Sequence, residues 1–123
     1  MRDNDVQPKQ RRETTMTTKP IVDLRIYTIR PRGMPEYLRL FEELALPAAL
    51  RHWGPPLGFY TSQIGPTNQV VHLWGFDSLD AMQRGRDAIA ADPDFAKYAE
   101  LTTGLVVAQE DRIIAPVAFK ALA

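Results

Sequence analysis

The sequence predicts an α+β fold: one antiparallel four-stranded sheet with helices on one of its faces. Three observations predict it. Apolar and polar residues alternate with a period of two in "IVDLRIYTI", "QVVHLWGF" and "LVVAQEDRII", the spacing of strands. Between them apolar residues recur at three- and four-residue spacing, the mark of amphipathic helices. The "GPTN" link between the two middle strand segments is too short for a crossover, which makes those strands an antiparallel hairpin.

In "IVDLRIYTI", Leu24, Ile26 and Thr28 fall on one face, and Asp23, Arg25, Tyr27 and Ile29 on the other. "RPRGMP" breaks this strand, and Pro35 suits a first helical position, where a missing N–H costs nothing. Tyr37, Leu38, Phe41, Leu44 and Ala45 then form an apolar stripe opposite Glu36, Arg39, Glu42 and Glu43. Pro47 is expected to bend or end the helix, and "RHWGPP" to close the region with Trp53 plugging the end of the core and His52 on the surface of a loop. "LGFYTSQIG" reads as the second strand and "QVVHLWGF" as the third. Asp77 or Ser78 is a candidate cap for a helix carrying Leu79, Met82 and Ile89, which Gly85 should weaken slightly. "ADPDF" restarts a helix with Asp92 as cap and Pro93 at its first turn, and its apolar side of Phe95, Tyr98 and Ala99 ends near Gly104. The last strand stops at Pro116. The order β-α-β-β-α-β is the ferredoxin-like arrangement.

Residues 1–20 hold only three apolar side chains, Met1, Val6 and Met16, too few to offset the entropy of ordering them. They are expected to form a disordered extension, with Met16 as an alternative start. The folded domain is expected over 21–118, followed by a short tail at 119–123.

Composition narrows the function classes. The 123 residues contain 15 Lys plus Arg and 15 Asp plus Glu, so no net field attracts nucleic acid or an anionic membrane. There is no cysteine, which removes disulfides, thiolate nucleophiles and cysteine-bearing metal sites. No apolar run approaches the roughly 18–20 residues of a membrane span, and the start lacks a signal-peptide core; a cytoplasmic protein is expected. With two histidines, His52 and His72, and no ligand spacing around them, no metal is expected, nor any other cofactor. Only Ser62 and Ser78 are available as serine nucleophiles, without a nucleophile-elbow motif, which argues against a hydrolase.

Arg25, Tyr27, His72 and Trp74 share the alternate faces of two strands. Burying a tryptophan is worth roughly 4–6 kcal/mol at about 25 cal/mol per Å², so this surface needs a cover. The same face of a second copy is the expected one, giving a two-fold homodimer. Several stretches, "DLRIYTIRPRGMPEYLRLF", "LGFYTSQIGPTNQVVHLWGFDSLD", "ADPDFAKY" and "QEDRII", resemble the NIPSNAP family from about Asp23 to Pro116. The resemblance implies the dimeric α+β barrel; it carries no agreed catalytic motif.

His72 has two readings: an acid–base group, since imidazole titrates near neutrality, or a histidine hydrogen-bonded inside the barrel. Arg25 and Tyr27, with Tyr60 and Trp74, are the candidate ligand-binding residues, able to meet a carboxylate or enolate in a pocket between sheet and helices. Arg25 equally suits an ion pair with Asp23, Glu110 or Asp111. Two functions follow. One is a binding protein for a small apolar or aromatic metabolite, acidic ones included. The other is a cofactor-independent isomerase, cyclase or monooxygenase that uses His72 with Arg25 or Tyr27, an analogy at the level of fold. Whether the chain is catalytic stays open at this point.

Overall fold

A computed structural model describes residues 19–122; the expected N-terminal extension, up to residue 18, and the start at Met16 lie outside the described residues. The alternation read in the sequence builds β1 (Ile21–Ile29), β2 (Gly58–Thr61), β3 (Gln69–Phe76) and β4 (Val106–Ile114). They form one antiparallel sheet in the order β2-β3-β1-β4, so the two strands with buried alternate positions, β1 and β3, lie at the centre and β2 and β4 are edges. The fold is ferredoxin-like, as the element order implies.

β2 is shorter than "LGFYTSQIG" suggested. Pairing ends at Thr61 opposite Val70 because β3 begins at Gln69, and Ser62 N–H closes the loop on the Gln69 carbonyl at 3.0 Å. Beyond that point the chain has no partner, and Ile64 is almost wholly exposed.

The helical stretch after β1 is α1 (Met34–Leu40), a π-helical turn (Phe41–Ala45) and α2 (Leu46–His52). Pro47 does not end the helix, which continues to His52. It has no N–H to give, and its ring cannot pack over the carbonyl four residues back. The turn before it widens instead, with Leu46 N–H reaching the Phe41 carbonyl, which is the π-bulge solution. Gly54 at φ +79° then ends α2 in the left-handed region. His52 is therefore the last residue of a helix rather than part of a loop.

The caps of the other helices are as the sequence indicates. Ser78 caps α3 (Leu79–Ala90), its hydroxyl accepting from Ala81 N–H at 3.0 Å. Asp92 caps α4 (Pro93–Leu101), accepting from Asp94 N–H at 2.9 Å. The same carboxylate receives Arg51 in a two-nitrogen contact and His52 Nε2 at 2.8 Å, so it fastens the end of α2 to the start of α4. Burial pulls the Asp92 carboxyl upward, but the His52 and Arg51 hydrogen bonds prevail and hold it down at about 2.

Helices α1 to α4 lie on one sheet face and cover Tyr27, Ile29, Val70, Trp74 and Phe76. Trp74 is 0% exposed within a single chain. This corrects the expectation that a second copy must cover it: the chain's own helices do. The opposite face carries Leu24, Ile26, Val71 and Leu73, which remain half-buried.

Gly85 of α3 is a packing requirement rather than a weak spot. A Cβ there would lie 2.9 Å from the Trp53 ring and 3.3 Å from the His52 carbonyl. Gly85→Ala gains helix propensity of about 1 kcal/mol but forces the indole and α2 apart, an overpacking cost of about 1–3 kcal/mol. A net loss of about 1 kcal/mol is expected in urea unfolding.

Candidate functional site

The strand register sets side chains in rows on the helix-facing side of the sheet. Phe59, His72, Arg25 and Asp111 follow one another from edge to edge, and beside them lie Thr61, Val70, Tyr27 and Gln109. The first row grades from a dry aromatic end to a charged one, and the site sits where it turns polar.

Arg25 is the hub. Its Nε donates to Asp23 at 3.1 Å, its Nη1 to the Tyr27 hydroxyl at 2.8 Å, and its Nη2 lies 3.5 Å from Asp111. The guanidinium also stands 5.0 Å from the centre of the Trp53 ring, within cation–π range. Arg86 of α3 reaches the same Asp23 oxygen at 3.0 Å and Asp111 at 3.8 Å. Burial works against the Arg25 charge, but Tyr27 and Asp23 more than restore it and the guanidinium pKa is raised. Burial raises the Tyr27 pKa, against the pull of Arg25, so the phenol stays protonated and keeps a hydrogen to donate.

His72 is 2% exposed, in an aromatic box. Phe59 stacks on it at 4.8 Å, Tyr27 meets it edge-on at 4.8 Å, and Phe41 and Trp74 lie at 5.9 Å. The indole N–H of Trp74 donates to His72 Nδ1 at 2.7 Å. Since an indole nitrogen can only donate, Nδ1 carries no proton and the neutral ring holds its hydrogen on Nε2, a buried atom without a polar partner among the described residues. Burial first, then the nearby Arg25 charge, lowers the imidazole to about 3.

Beside this box a cleft of about 640 Å³ opens between α4 and the β1–β4 edge. Arg25 and Tyr27 line it with Phe95, Tyr98, Thr102 and Gln109. A register shift between Thr28 and Ile29 leaves Val107 unpaired, and this bulge brings Val106, Val107 and Ala108 together onto the cleft wall. Tyr98 is anchored from behind by the Tyr37 hydroxyl at 2.9 Å, and burial raises the pKa of both phenols.

The structure thus brings Arg25 and Tyr27 into one cleft. His72 pairs with Arg25 across the strands but lies behind Tyr27, off the cleft wall. Trp74 is deeper still. Tyr60 lies on the opposite face of the sheet and is 59% exposed. Sequence reasoning missed Arg86, which reads as one more charge on a solvated helix face and meets Asp23 only across 63 residues of chain. It also missed Gln109, although alternation in β4 places Gln109 and Asp111 on one face. Among the described residues no three acidic or histidine side chains converge as a metal-ion set.

The state of His72 links stability to pH. The unfolded chain takes up a proton near pH 6.5, whereas the folded chain refuses it until about 3. Stability attributable to His72 is therefore complete above about pH 6.5 and falls on acidification towards 3, at about 1.4 kcal/mol per pH unit. In NMR the ring signals should stay flat from pH 8 to 5, and His72→Phe should remove this part of the unfolding profile.

The profile of the NIPSNAP family matches residues 22–121. A stretch covering 50% of this chain is 34% identical over 62 residues to protein NipSnap homolog of Dictyostelium discoideum, and spans only 28% of that protein. The crystal structure of a NIPSNAP family protein from Agrobacterium tumefaciens superposes with a TM-score of 0.77 at 35% identity, over 84% of this chain and 98% of its own. A candidate antibiotic biosynthesis monooxygenase from Bacteroides thetaiotaomicron, 24% identical with a TM-score of 0.60 over 81% of this chain and 91% of its own, is alike in fold alone. With a family profile matching residues 22–121 and a fold shared with a solved family member, this chain belongs to the NIPSNAP family.

Proposed function

We propose that the chain is a small homodimeric binding protein that holds an apolar or aromatic molecule, by a polar acceptor group, in the cleft between α4, β1 and β4. The observation that carries this reading is the pairing of Arg25 and Tyr27 on a wall otherwise made of aromatic and aliphatic side chains. Such a wall buries a hydrocarbon body while two convergent donors fix its polar end. The titratable groups of that wall, Arg25, Tyr27 and Tyr98, are all shifted away from neutrality. This favours binding over acid–base chemistry. The alternative of a cofactor-independent enzyme requires His72 to reach the ligand, and that ring is neutral, enclosed and screened by Tyr27.

Among the described residues no helix is long and apolar enough to cross a membrane; a cytoplasmic setting is part of the reading, on the sequence grounds given above. The homodimer rests on a different surface from the one the sequence pointed to. Leu24, Ile26, Val71 and Leu73 make an aliphatic sheet face that the helices do not cover, and the matching face of a second copy would bury it.

The uncharged naphthyl ketone dye prodan tests the cleft. Wild type should bind it with a blue-shifted emission, and Ala99→Trp, which fills the cleft from an exposed helical position, should weaken binding at least about tenfold. An identical titration in the variant would move binding elsewhere and remove the proposal. For the assembly, Leu73→Arg places a charge at the centre of the aliphatic face; light scattering should report the mass of two copies for wild type and of one for the variant.

A further inference from the structure

We propose that Asp111 sets the charge preference of the cleft: by neutralising Arg25 it makes the site select uncharged aromatic carbonyl compounds over carboxylates of the same shape. This deepens the binding reading above and rests on it.

Arg25 is the one charged residue of the cleft lining, and alone it would favour an acid. It is not alone. The charged groups facing it are Asp23 and Asp111, with Arg86 shared between those two carboxylates, so the four charges sum to zero. The guanidinium is also largely committed. Its Nε and Nη2 serve Asp23, Nη2 faces Asp111, and one Nη1 hydrogen goes to Tyr27. Gln109 of the cleft lining is also a hydrogen-bond partner of the Tyr27 hydroxyl; with its amide donating to the phenol oxygen, a second Nη1 hydrogen and the phenolic hydrogen of Tyr27 are left for a ligand, two donors suited to a single carbonyl oxygen. A carboxylate would add a negative charge to a neutral set, against Asp111 and Asp23, and would be desolvated in doing so. A ketone takes the same donors without that repulsion.

Asp111 is the partner that tunes this balance. It lies on the edge strand β4, its side chain 39% exposed, and its 3.5 and 3.8 Å contacts are longer than the 3.0–3.1 Å contacts of Asp23. Asp23, at 1% exposure, is structural. Replacing Asp111 by asparagine keeps shape and polarity and leaves the Asp23–Arg25–Arg86 core in place with one net positive charge beside the cleft.

Isothermal titration calorimetry with 2-acetonaphthone and 2-naphthoate, which share the ring and differ in charge, tests this on wild type, Asp111→Asn and Asp111→Glu. Wild type and Asp111→Glu should prefer the ketone by at least about tenfold. In Asp111→Asn naphthoate affinity should rise about tenfold while ketone affinity changes by less than about twofold. A ratio that is the same in wild type and Asp111→Asn, a wild-type preference for naphthoate, or an Asp111→Glu protein behaving like Asp111→Asn would overturn the proposal and leave the binding reading standing. Absence of binding of either compound to any of the three proteins would overturn both.

Discussion

A carboxylate at 1% exposure in the middle of a sheet must be paired, because removing one partner from a buried ion pair costs several kcal/mol. Asp23 is that carboxylate, and much of the structure follows from pairing its charge through Oδ2, which both arginines reach while Oδ1 is buried without a hydrogen-bond partner among the described residues. Arg25 approaches along the strand and Arg86 from α3, so the requirement ties the helix to the sheet in addition to the apolar core. Arg25, once held, orients the Tyr27 hydroxyl and covers the Trp53 ring. Trp53 in turn packs edge-on against Trp74 at 5.1 Å and needs Gly85 for its space. One desolvated charge thus connects β1, α3 and the end of α2.

The proposed binding site grows from the same register. The row that runs from Phe59 through His72 and Arg25 to Asp111 separates a sealed aromatic compartment from an open polar one, with Arg25 and Tyr27 at the boundary. His72 belongs to the sealed side, where a neutral imidazole that accepts from an indole is a packing element with a hydrogen-bond acceptor. The open side combines aromatic and aliphatic walls with donors already aimed by their neighbours, the condition under which binding loses least to ordering. α4 does not cover the β4 edge fully, and the bulge at Val107 shapes what it leaves open.

Much of this was legible in the sequence, for definite reasons. Alternation in the strands placed Arg25 with Tyr27 and His72 with Trp74, since a period of two is a local property that survives folding. Caps at Ser78 and Asp92 were equally local. What escaped was whatever depended on distance in the chain. Trp74 called for a cover, but periodicity could not say whether helices or a second copy would supply it. Arg86 looked like surface charge until Asp23 needed it. Gly85 looked like a propensity defect until Trp53 arrived, and His52, assigned to a loop, became the end of a helix because the backbone found a way past Pro47. Tyr60 was a candidate by residue type, and the register of β2 sends it to the other face.

That passage past Pro47 also governs how the helix is phased. A straight α-helix advances about 100° per residue, so the buried Ala48 and Ala49 would be rotated roughly 80° away from the direction set by Tyr37, Leu40 and Phe41. A π turn accommodates the equivalent of one inserted residue and brings the two alanines back to within roughly 20–30° of that direction. The wide turn is thus a phase corrector, and it makes this segment tolerant of length in one direction only. A chain lacking one residue between Phe41 and Ala45 could run as an unbroken helix with the same buried face, whereas one longer by a residue would have to turn its alanines outwards.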